Sequence, residues 1–471
     1  MITSQLSDKY GRETLLYMVH EEDQTKSDLY AGARGIAVKV LNRIDRTDAY
    51  LEKLLENEMK TSGLSGQDKA LLYEIVHGVC RWSGRIDWIL NSFFRGQFSK
   101  SVPNVKNTLR VAAYQILFLN KIPAYAAVNE AVELIKRLQG QKSAGLINAV
   151  LRNIIRSKDV IRYPDPKEDA ALYLSVYYSH PLWMVKRWIT RFGPEAAEKL
   201  LIANNERPGL SLRVNTQKTT VEEFKELLDS VSLKYSPGRF LPEFIRLNTV
   251  TNIMDWEYFS KGYFNIQDES TGFSCRLLDP KAGMRVLDLC AAPGGKTTYI
   301  SNLMNNEGEI VAIDKYESRL KSLRKNLERL GITNVRTLEA DALSYEDEPF
   351  DRVLLDTPCS GMGTLSKKPD IKWKRDPSDI RNLNALQSEL LEKAASLVKA
   401  GGALVYSTCT IEPDENFEIV SRFLSTHPEF VINRNCGAVP EELIDENGCL
   451  QTLPHVNNTD GAFACRMDRV G

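Results

Sequence analysis

The sequence lacks the features that would assign the chain to a membrane or to the secretory route. Its longest apolar run, Val111 to Leu119, is far shorter than the ~20 residues that a membrane-spanning helix needs. The first 30 residues are polar and contain no apolar segment typical of a secretion signal. We therefore expect a cytoplasmic protein that makes no contact with a membrane.

The sequence also lacks the spacings that are typical of metal sites. Among its eight cysteines and five histidines there is no C-x-x-C pair and no H-x-x-x-H pair. Structural zinc sites are usually built from such pairs. We therefore expect no bound metal, and in a cytosolic chain we expect the thiols to be reduced.

Net charge is almost absent from the whole chain, at −1, but it is unevenly distributed. Residues 31–163 hold 21 Lys and Arg against 11 Asp and Glu, and the remainder is mildly acidic. A basic segment of this size indicates a polyanionic partner such as RNA. The alternative is a helical domain whose basic face is simply exposed to solvent.

The spacing of apolar residues divides the chain into segments that differ in predicted secondary structure. From residue 30 to 163 apolar residues recur at helical spacing, which predicts a bundle of six or seven helices. Residues 164–261 mix helix and strand patterns and predict a small α+β module. From residue 262 to 471 short apolar strands alternate with helices, which predicts a doubly wound, mainly parallel sheet. Residues 1–29 are taken as an N-terminal extension.

A glycine-rich turn follows the first strand of the last segment, in Val286-Leu-Asp-Leu-Cys-Ala-Ala-Pro-Gly-Gly-Lys-Thr297. Glycines at a strand-to-helix turn let the backbone approach a ligand closely, and the helix start offers free N–H groups. A phosphate-binding loop would need a glycine where Cys290 stands, and the dinucleotide pattern G-x-G-x-x-G is absent. An ATPase is therefore disfavoured.

Acidic residues stand at the ends of four successive predicted strands: Asp288, Asp314, Asp341 and Asp356. One such residue is usually a turn former, whereas four in series indicate a nucleoside pocket. In doubly wound folds an acidic residue at the position of Asp314 accepts the ribose hydroxyls. Asp341 is placed to meet the exocyclic amine of an adenine.

Two cysteines follow the fourth and fifth predicted strands, Cys359 in Asp356-Thr-Pro-Cys-Ser-Gly361 and Cys409 in Ser407-Thr-Cys-Thr410. A lone cysteine is most often a small buried residue. Two at equivalent places beside a nucleoside pocket indicate thiol chemistry instead. Cys290 is expected to be part of the pocket wall.

These motifs, together with Lys368-Pro-Asp-Ile-Lys-Trp373, resemble those of the RNA cytosine-C5 methyltransferases that use S-adenosylmethionine. The whole chain from about residue 30 is most similar to the bacterial family B of 16S ribosomal RNA methyltransferases. In that family a NusB-like helical RNA-binding domain precedes a small α+β RNA-binding module and a Rossmann-like catalytic domain. Thr357 and Lys368 depart from the residues that the family often has there, Ala and His.

The resemblance implies a role for each matching residue. Cys409 would be the nucleophile, Cys359 would help release the product, and Asp356 would lie at the methyl-transfer centre. The cofactor S-adenosylmethionine would be bound by Cys290, Ala291, Ala292, Pro293, Gly294, Gly295, Lys296, Asp314, Asp341 and Asp356. Because a similar Pro-Cys step carries the nucleophile in DNA cytosine methyltransferases, Cys359 stays open as the alternative attacking thiol.

A basic loop beside the expected active site carries five cations around Trp373 and a single acid, Asp370. Basic grooves with aromatic side chains are typical of single-stranded nucleic acid recognition. The alternative is an ordinary solvated surface. The predicted RNA contacts are Lys367, Lys368, Lys372, Trp373, Lys374 and Arg375.

The sequence thus predicts a methyltransferase that modifies C5 of a cytosine in 16S ribosomal RNA and acts as a monomer without an obligate protein partner. The same chemistry on tRNA is the near alternative. A non-catalytic RNA-binding or ribosome-assembly factor is the alternative from another class. Two thiols beside Asp356 weigh against it, because binding alone needs no thiol.

Overall fold

The structure is a computed structural model that describes residues 29–47, 49–248, 253–434 and 437–471. The described chain forms two compact units. The first contains the residues up to Leu201 together with Lys368–Lys374, and the second contains Ile202–Lys367 and Arg375–Gly471. Within the described ranges, no helix combines the length and apolar character that crossing a membrane requires. Residues 1–28 of the predicted extension lie outside the described residues.

The first unit is helical. In the helices between Gly32 and Ser157, apolar residues enclose a shared core that includes Ile75, Leu109 and Ile147, all fully buried. The last long helix is interrupted at Gly140, whose φ of +80° cannot continue a helix. The helices are Gly32–Ile44, Leu51–Thr61, Gly66–Phe93, Pro103–Phe118, Ala124–Ser157, Ala170–Tyr177, Leu182–Phe192 and Pro194–Asn205, the last of which ends in the second unit.

The second unit begins with a small four-stranded antiparallel sheet in the order β2-β3-β1-β4. The helix Val221–Ser230 packs on it, and this helix starts with the predicted capping box of Thr220 and Glu223. The strands are β1 (Leu210–Val214), β2 (Tyr235–Pro237), β3 (Phe244–Leu247) and β4 (Phe264–Ile266). The short helix Glu257–Ser260 precedes β4.

An eight-stranded sheet forms the rest of the second unit, with seven strands in the order β10-β12-β9-β8-β5-β6-β7 and β11 paired to β12. The strands from β5 to β9 are parallel, and β12 joins β9 in antiparallel register. They are β5 (Arg285–Asp288), β6 (Glu309–Asp314), β7 (Val335–Glu339), β8 (Phe350–Asp356), β9 (Val398–Thr408), β10 (Phe430–Ile432), β11 (Leu450–Thr452) and β12 (Ala462–Arg469).

The helices of this unit connect and cover the large sheet. They are Glu269–Leu278, Gly295–Leu303, Glu317–Leu330, Pro377–Ser396, Phe417–Thr426 and the short Pro454–Asn457, and the short helix Ile371–Lys374 belongs to the first unit. The chain runs outward from β5 through β6 to β7 and then returns to β8 on the other side of β5. This reversal is a topological switch point, and ligands bind at the carboxyl ends of the strands there.

The predicted fold class is confirmed. A helical first part, a small α+β module and a mainly parallel doubly wound sheet occur in the predicted order. The carboxyl ends of β5 and β8 lie next to each other, because Asp288 is in register with Leu354 near the end of β8. The next strand, β9, places Ser407 opposite Asp356. The residues that follow these three strands therefore share one edge of the sheet.

Candidate active site

The turn between β5 and the helix Gly295–Leu303 depends on Gly294. Its φ is +102°, a left-handed conformation that residues with a side chain rarely adopt. A Cβ at this position would lie 2.2 Å from Cδ1 of Leu323. The turn is therefore tight, bare of side-chain atoms at Gly294, and ends in a helix N-terminus.

Asp288 lies at the end of β5 and is almost completely buried. Its Oδ2 accepts a hydrogen bond of 2.7 Å from the Thr297 hydroxyl, and its Oδ1 has no hydrogen-bond partner among the described residues. Burial raises the pKa of this carboxyl to about 7. An unmatched buried acceptor costs free energy, so Asp288 is suited to a donor that arrives with a ligand.

Lys296 and Asp356 form an ion pair across the ends of β5 and β8. Burial opposes the charge on Lys296, but the Asp356 carboxylate outweighs it and raises the pKa of the ammonium. The Ser407 hydroxyl at the end of β9 donates to Asp356 Oδ1 over 3.0 Å. A lysine in the first turn of a helix faces the positive end of the helix dipole. A positive charge there is unfavourable for the helix, and residues that are unfavourable for their local structure are typical of functional sites.

The two predicted thiols meet. Cys359 follows β8, Cys409 follows β9, and their Sγ atoms lie 3.1 Å apart. The backbone N–H of Cys409 donates to Cys359 Sγ over 3.3 Å. The hydrogen bond with Cys409 and burial both raise the pKa of the Cys359 thiol, and the nearby Glu415 charge raises it further. Cys359 is therefore held in its protonated form.

Asp314 lies at the end of β6, where it is buried and engaged by the chain itself. Its Oδ1 accepts from the backbone N–H of Tyr316 over 3.0 Å, and its Oδ2 pairs with Arg319 at 3.1 Å. Arg319 also donates to the carbonyl of Ala292 over 2.7 Å. The arginine thus connects the predicted ribose acceptor with the glycine-rich turn. Ala291 and Ala292 in that turn are buried, and Cys290 is partly buried.

Asp341 follows β7 and is more exposed than the other three acids of the series, with 42% of its side chain accessible. It caps the short turn Ala342–Ser344 by accepting from Leu343 N–H over 3.1 Å, and it pairs with Lys315 at 2.8 Å. The Lys315 ammonium lowers the pKa of the Asp341 carboxyl. Its predicted contact with an adenine remains a proposal.

The predicted basic loop is not one exposed patch. Lys367 forms ion pairs with Asp268 and, at 2.9 Å, with Asp460. Lys368 is exposed, and Arg375 is half-buried and donates to the carbonyl of Ser360 over 3.3 Å. Lys367 is therefore committed to two carboxylates of the second unit.

Within the first unit, Lys372 does not have the exposed side chain that its predicted contact with RNA requires. Its side chain is fully buried, and its ammonium donates to the carbonyls of Arg81, over 2.9 Å, and Ser179, over 3.0 Å. The Trp373 indole N–H donates to the carbonyl of Cys80 over 2.7 Å while 40% of the residue stays exposed. Lys374 donates to the carbonyl of Ala49. A lysine satisfied in this way is not available to a phosphate.

We expect the neighbouring lysines 372 and 368 to respond in opposite ways to substitution by methionine. Lys372→Met leaves two buried carbonyls without a donor and should destabilise the protein by about 2 kcal/mol. Lys368→Met removes an exposed charge and should leave stability within about 0.5 kcal/mol, while it weakens RNA binding. Thermal unfolding and RNA titration of both variants test this. An equal loss of RNA affinity at unchanged stability for Lys372→Met would contradict the buried position.

Sequence reasoning missed two residues beneath the thiols, Glu415 and Asn416, both buried. They lie just after Cys409 in the chain, in Ile411-Glu-Pro-Asp-Glu-Asn416. The only signal in the sequence is a cluster of acids directly after an apolar strand, which normally indicates an exposed loop. The partners of Glu415 lie on other segments of the chain, and those of Asn416 lie just before it around Cys409, so the sequence pattern does not reveal their role.

Three family models match successive parts of the chain, in the same order as the helical part, the small sheet and the large sheet. A family model described as "16S rRNA methyltransferase RsmB/F" matches residues 275–468. The model of the NusB family matches residues 31–156, and a ferredoxin-like domain model of RsmF/B-like methyltransferases matches residues 180–254. The first of these matches contains the acidic, basic and thiol residues of the candidate site, Asp288, Lys296, Asp314, Asp341, Asp356, Cys359 and Cys409.

Curated relatives match nearly the full length. The probable ribosomal RNA small subunit methyltransferase B of Bacillus subtilis is 37% identical over 446 residues, which are 93% of this chain and 99% of that protein. The ribosomal RNA small subunit methyltransferase B of Serratia proteamaculans is 34% identical over 438 residues, or 92% and 98% of the two chains.

Solved structures agree. The crystal structure of PH0851 superposes with a TM-score of 0.80 at 29% identity and covers 93% of this chain and 99% of its own. A methyltransferase homologue from Pyrococcus horikoshii has a TM-score of 0.57 at 30% identity and covers 64% and 99%. With its domain order, its large sheet and its relatives in agreement, the chain belongs to the family of ribosomal RNA small subunit methyltransferase B.

Proposed function

We propose that this protein transfers a methyl group from S-adenosylmethionine to C5 of a cytosine in 16S ribosomal RNA, through a covalent bond between a cysteine thiol and C6. The observation that carries the proposal is the pair of thiols 3.1 Å apart beside the Lys296–Asp356 ion pair. C5 of cytosine is a weak nucleophile, and addition of a thiolate to C6 makes it reactive. A protein that only binds RNA needs neither thiol.

The electrostatics favour Cys409 as the attacking thiol. Its hydrogen bond with the Cys409 thiol, burial and Glu415 raise the pKa of Cys359, and they outweigh the backbone N–H of Cys409, which lowers it. A negative charge on Cys409, in contrast, stabilises the buried Lys296 ammonium and is stabilised by it in return. A thiolate is the nucleophilic form of cysteine, and a neighbouring cation favours it. We therefore propose Cys409 as the nucleophile and Cys359 as the residue that assists product release.

The residues of the glycine-rich turn fit S-adenosylmethionine, which supplies the methyl group as a sulfonium when it is bound. The unpartnered Oδ1 of Asp288 is a buried acceptor suited to a cationic donor. Gly294 lets the turn adopt a positive φ and pack closely against Leu323, which brings the backbone of the turn to the start of the helix. We propose that residues 290–296 line this ligand, that Asp314 accepts its ribose hydroxyls and that Asp341 contacts its adenine.

The proposed reaction uses Cys409 and Asp356. The Cys409 thiolate would form a bond to C6, and Asp356 would accept a hydrogen bond from the N4 amino group and so hold the ring edge. C5 would then take the methyl group as its bond to the sulfonium sulfur breaks, which leaves S-adenosylhomocysteine, and C5 would still carry its original proton. Loss of that proton to a base re-forms the C5–C6 double bond, the S–C6 bond breaks, and Cys409 leaves as the thiolate. A paired cytosine must first be flipped out of its stack.

We also propose a division of labour along the chain. Residues 30–163, with their excess of basic residues, and the α+β module of residues 164–261 would bind the RNA, and residues 262–471 would carry out the chemistry. Of the predicted RNA contacts, Lys368, Trp373 and Arg375 keep an accessible surface. Single-stranded RNA is commonly held by such cations and by stacking on an aromatic ring.

Bisulfite sequencing of total RNA from cells with and without the gene tests the substrate. We expect one protected cytosine in 16S ribosomal RNA to disappear on deletion and to return when the wild-type gene is restored. A restored Cys409→Ala gene is the matched control and should not return it. A lost tRNA signal with unchanged 16S RNA would replace the proposed substrate. No lost signal in either RNA would favour a non-catalytic factor.

A further inference from the structure

Two adjacent residues, Glu415 and Asn416, form hydrogen bonds with the loops that carry Cys359 and Cys409. These residues follow β9 and precede the helix Phe417–Thr426. Both side chains are buried, with 0% and 1% of their surface exposed. They therefore touch neither solvent nor a ligand at the edge of the sheet, and their effect must pass through the residues they bind.

Glu415 holds both neighbours of Cys359. Its Oε1 accepts from the backbone N–H of Ser360 over 2.7 Å, and its Oε2 accepts from the Ser360 hydroxyl over 2.5 Å. Gln387 donates to the same Oε1 over 3.0 Å and to the carbonyl of Pro358 over 2.9 Å. The residue before Cys359 and the residue after it are thus fixed through one carboxylate.

Asn416 does the same for Cys409. Its Oδ1 accepts from the Thr408 hydroxyl over 2.6 Å, and its Nδ2 donates to the carbonyl of Thr410 over 3.0 Å. The two loops are also joined directly, because the hydroxyls of Ser360 and Thr410 lie 2.9 Å apart. A hydrogen bond of 2.7 Å from the Tyr406 hydroxyl to the backbone carbonyl of Glu415 ties the pair to β9.

We propose that Glu415 and Asn416 are positioning residues that hold the two thiols in the mutual geometry required for catalysis. This inference rests on the proposed function for its effect on turnover, but not for its effect on the thiols. Cys359 and Cys409 follow different strands, so no nearby covalent connection keeps their Sγ atoms in contact. The buried hydrogen bonds of Glu415 and Asn416 hold them together instead, because these two residues have partners on both loops.

The charge of Glu415 also affects the pKa of the Cys359 thiol, in addition to the hydrogen bonds by which Glu415 holds the Cys359 loop. A carboxylate has acceptor sites for all three of its donors, and charge-assisted hydrogen bonds are the strong ones. Its negative charge lies on the side of Cys359 and disfavours a second anion there. The positive charge of Lys296 lies on the side of Cys409. The charge of Glu415 thus adds to the burial that raises the pKa of the Cys359 thiol.

The geometry is tested without RNA by oxidising the reduced protein with diamide, which takes up two electrons and two protons as the two thiols form a disulfide. Peptide mass spectrometry measures the rate of the Cys359–Cys409 link. We expect Asn416→Ala and the milder Thr408→Val to slow this rate about tenfold, because disulfide formation depends on thiol geometry. Glu415→Gln keeps an acceptor for Ser360 N–H and should stay within about threefold.

Asn215→Ala is the matched control, because Asn215 is a buried amide that holds the carbonyls of Gly262 and Leu330 instead. It should leave the rate of the Cys359–Cys409 link unchanged. In methylation assays, Asn416→Ala should lose about 100-fold in kcat, the cost of a misplacement near 1 Å, with KM for RNA and the affinity for S-adenosylhomocysteine retained. The retained affinity shows that the variant is folded.

The outcomes separate the two proposals. A wild-type rate of linking in both Asn416→Ala and Thr408→Val would overturn the positioning role, whatever their activity. A slowed rate in a protein whose wild type methylates no RNA would overturn the proposed function and leave the positioning role standing. A loss of kcat in Glu415→Gln as large as in Glu415→Ala would contradict the positioning role of Glu415, because glutamine keeps an acceptor for Ser360 N–H.

Discussion

Replacing Cys409 with alanine should abolish methyl transfer, with a loss of at least about 10⁴-fold in kcat, the scale seen when a covalent nucleophile is removed. The Cβ of alanine keeps the backbone and the buried network beneath the loop. Without a thiolate, C5 of the cytosine keeps its low reactivity, and neither Asp356 nor Lys296 can form the bond to C6. The initial rate of transfer from labelled S-adenosylmethionine to a 16S RNA transcript measures this.

Cys359→Ala is the matched control, since Cys359 lies 3.1 Å from Cys409 on the neighbouring loop. We expect it to bind RNA and to methylate in the first turnover, and then to release its product slowly. A single-turnover assay should therefore separate the two variants far more clearly than a steady-state assay. Full first-turnover activity in Cys409→Ala together with none in Cys359→Ala would exchange the roles of the two thiols.

Replacing Asp356 with asparagine should reduce kcat by about 10²- to 10³-fold, which is typical of losing one preorganised electrostatic contact in an active site. The substitution keeps the shape of the side chain but removes the charge that pairs with Lys296. It also replaces one acceptor oxygen by a donor, which opposes the N4 amino group of the cytosine. Initial rates at saturating RNA measure the effect on the chemical step.

Asp351→Asn is a control on the same strand. Asp351 lies near the start of β8, pairs with Lys399 at 2.8 Å and accepts from the backbone N–H of Arg285. Because this pair is partly exposed and far from the edge that carries the thiols, its loss should cost no more than about 1 kcal/mol of stability. Its kcat should stay near that of the wild type. An equal loss of kcat in both variants would contradict the special role of Asp356.

The sequence predicts the parallel strands well because their signals are local. Glu309–Asp314 and Val335–Glu339 match β6 and β7 at both ends, since each is an apolar run bounded by turn residues. An acidic residue at the end of a parallel strand must lie at the same edge as its neighbours, and β5, β6 and β8 place Asp288, Asp314 and Asp356 accordingly. The same reasoning brings Cys359 and Cys409 together.

What the sequence does not predict depends on contacts between distant segments. The antiparallel strands β10 to β12 are short or polar at one end, and they are defined by pairing: β12 pairs with β9, and β10 and β11 pair with β12. The helical sequence pattern from His180 to Asn205 covers two helices, Leu182–Phe192 and Pro194–Asn205, because Gly193 between them adopts a φ of +79°. A positive φ at glycine is allowed but not required, so the sequence leaves that break undecided.

Burial of charged residues is the second kind of information that the sequence lacks. Lysine is usually a surface residue, and only the hydrogen bonds to the carbonyls of Arg81 and Ser179 explain why Lys372 is buried. Glu415 follows a polar turn and would be assigned to the surface, yet its carboxylate is satisfied by Ser360 and Gln387. A buried charge is identified by its partners, and partners distant in sequence leave no local pattern.

The central claim is that Cys409 bonds to C6 of a cytosine before C5 is methylated. Fluorine at C5 prevents the final loss of a proton, so 5-fluorocytosine RNA should trap the covalent species. With S-adenosylmethionine present, the wild-type protein and Cys359→Ala should give a denaturant-stable RNA adduct on a gel, with the RNA attached at Cys409 by mass spectrometry, and Cys409→Ala should give none. An adduct of undiminished yield in Cys409→Ala would contradict the account.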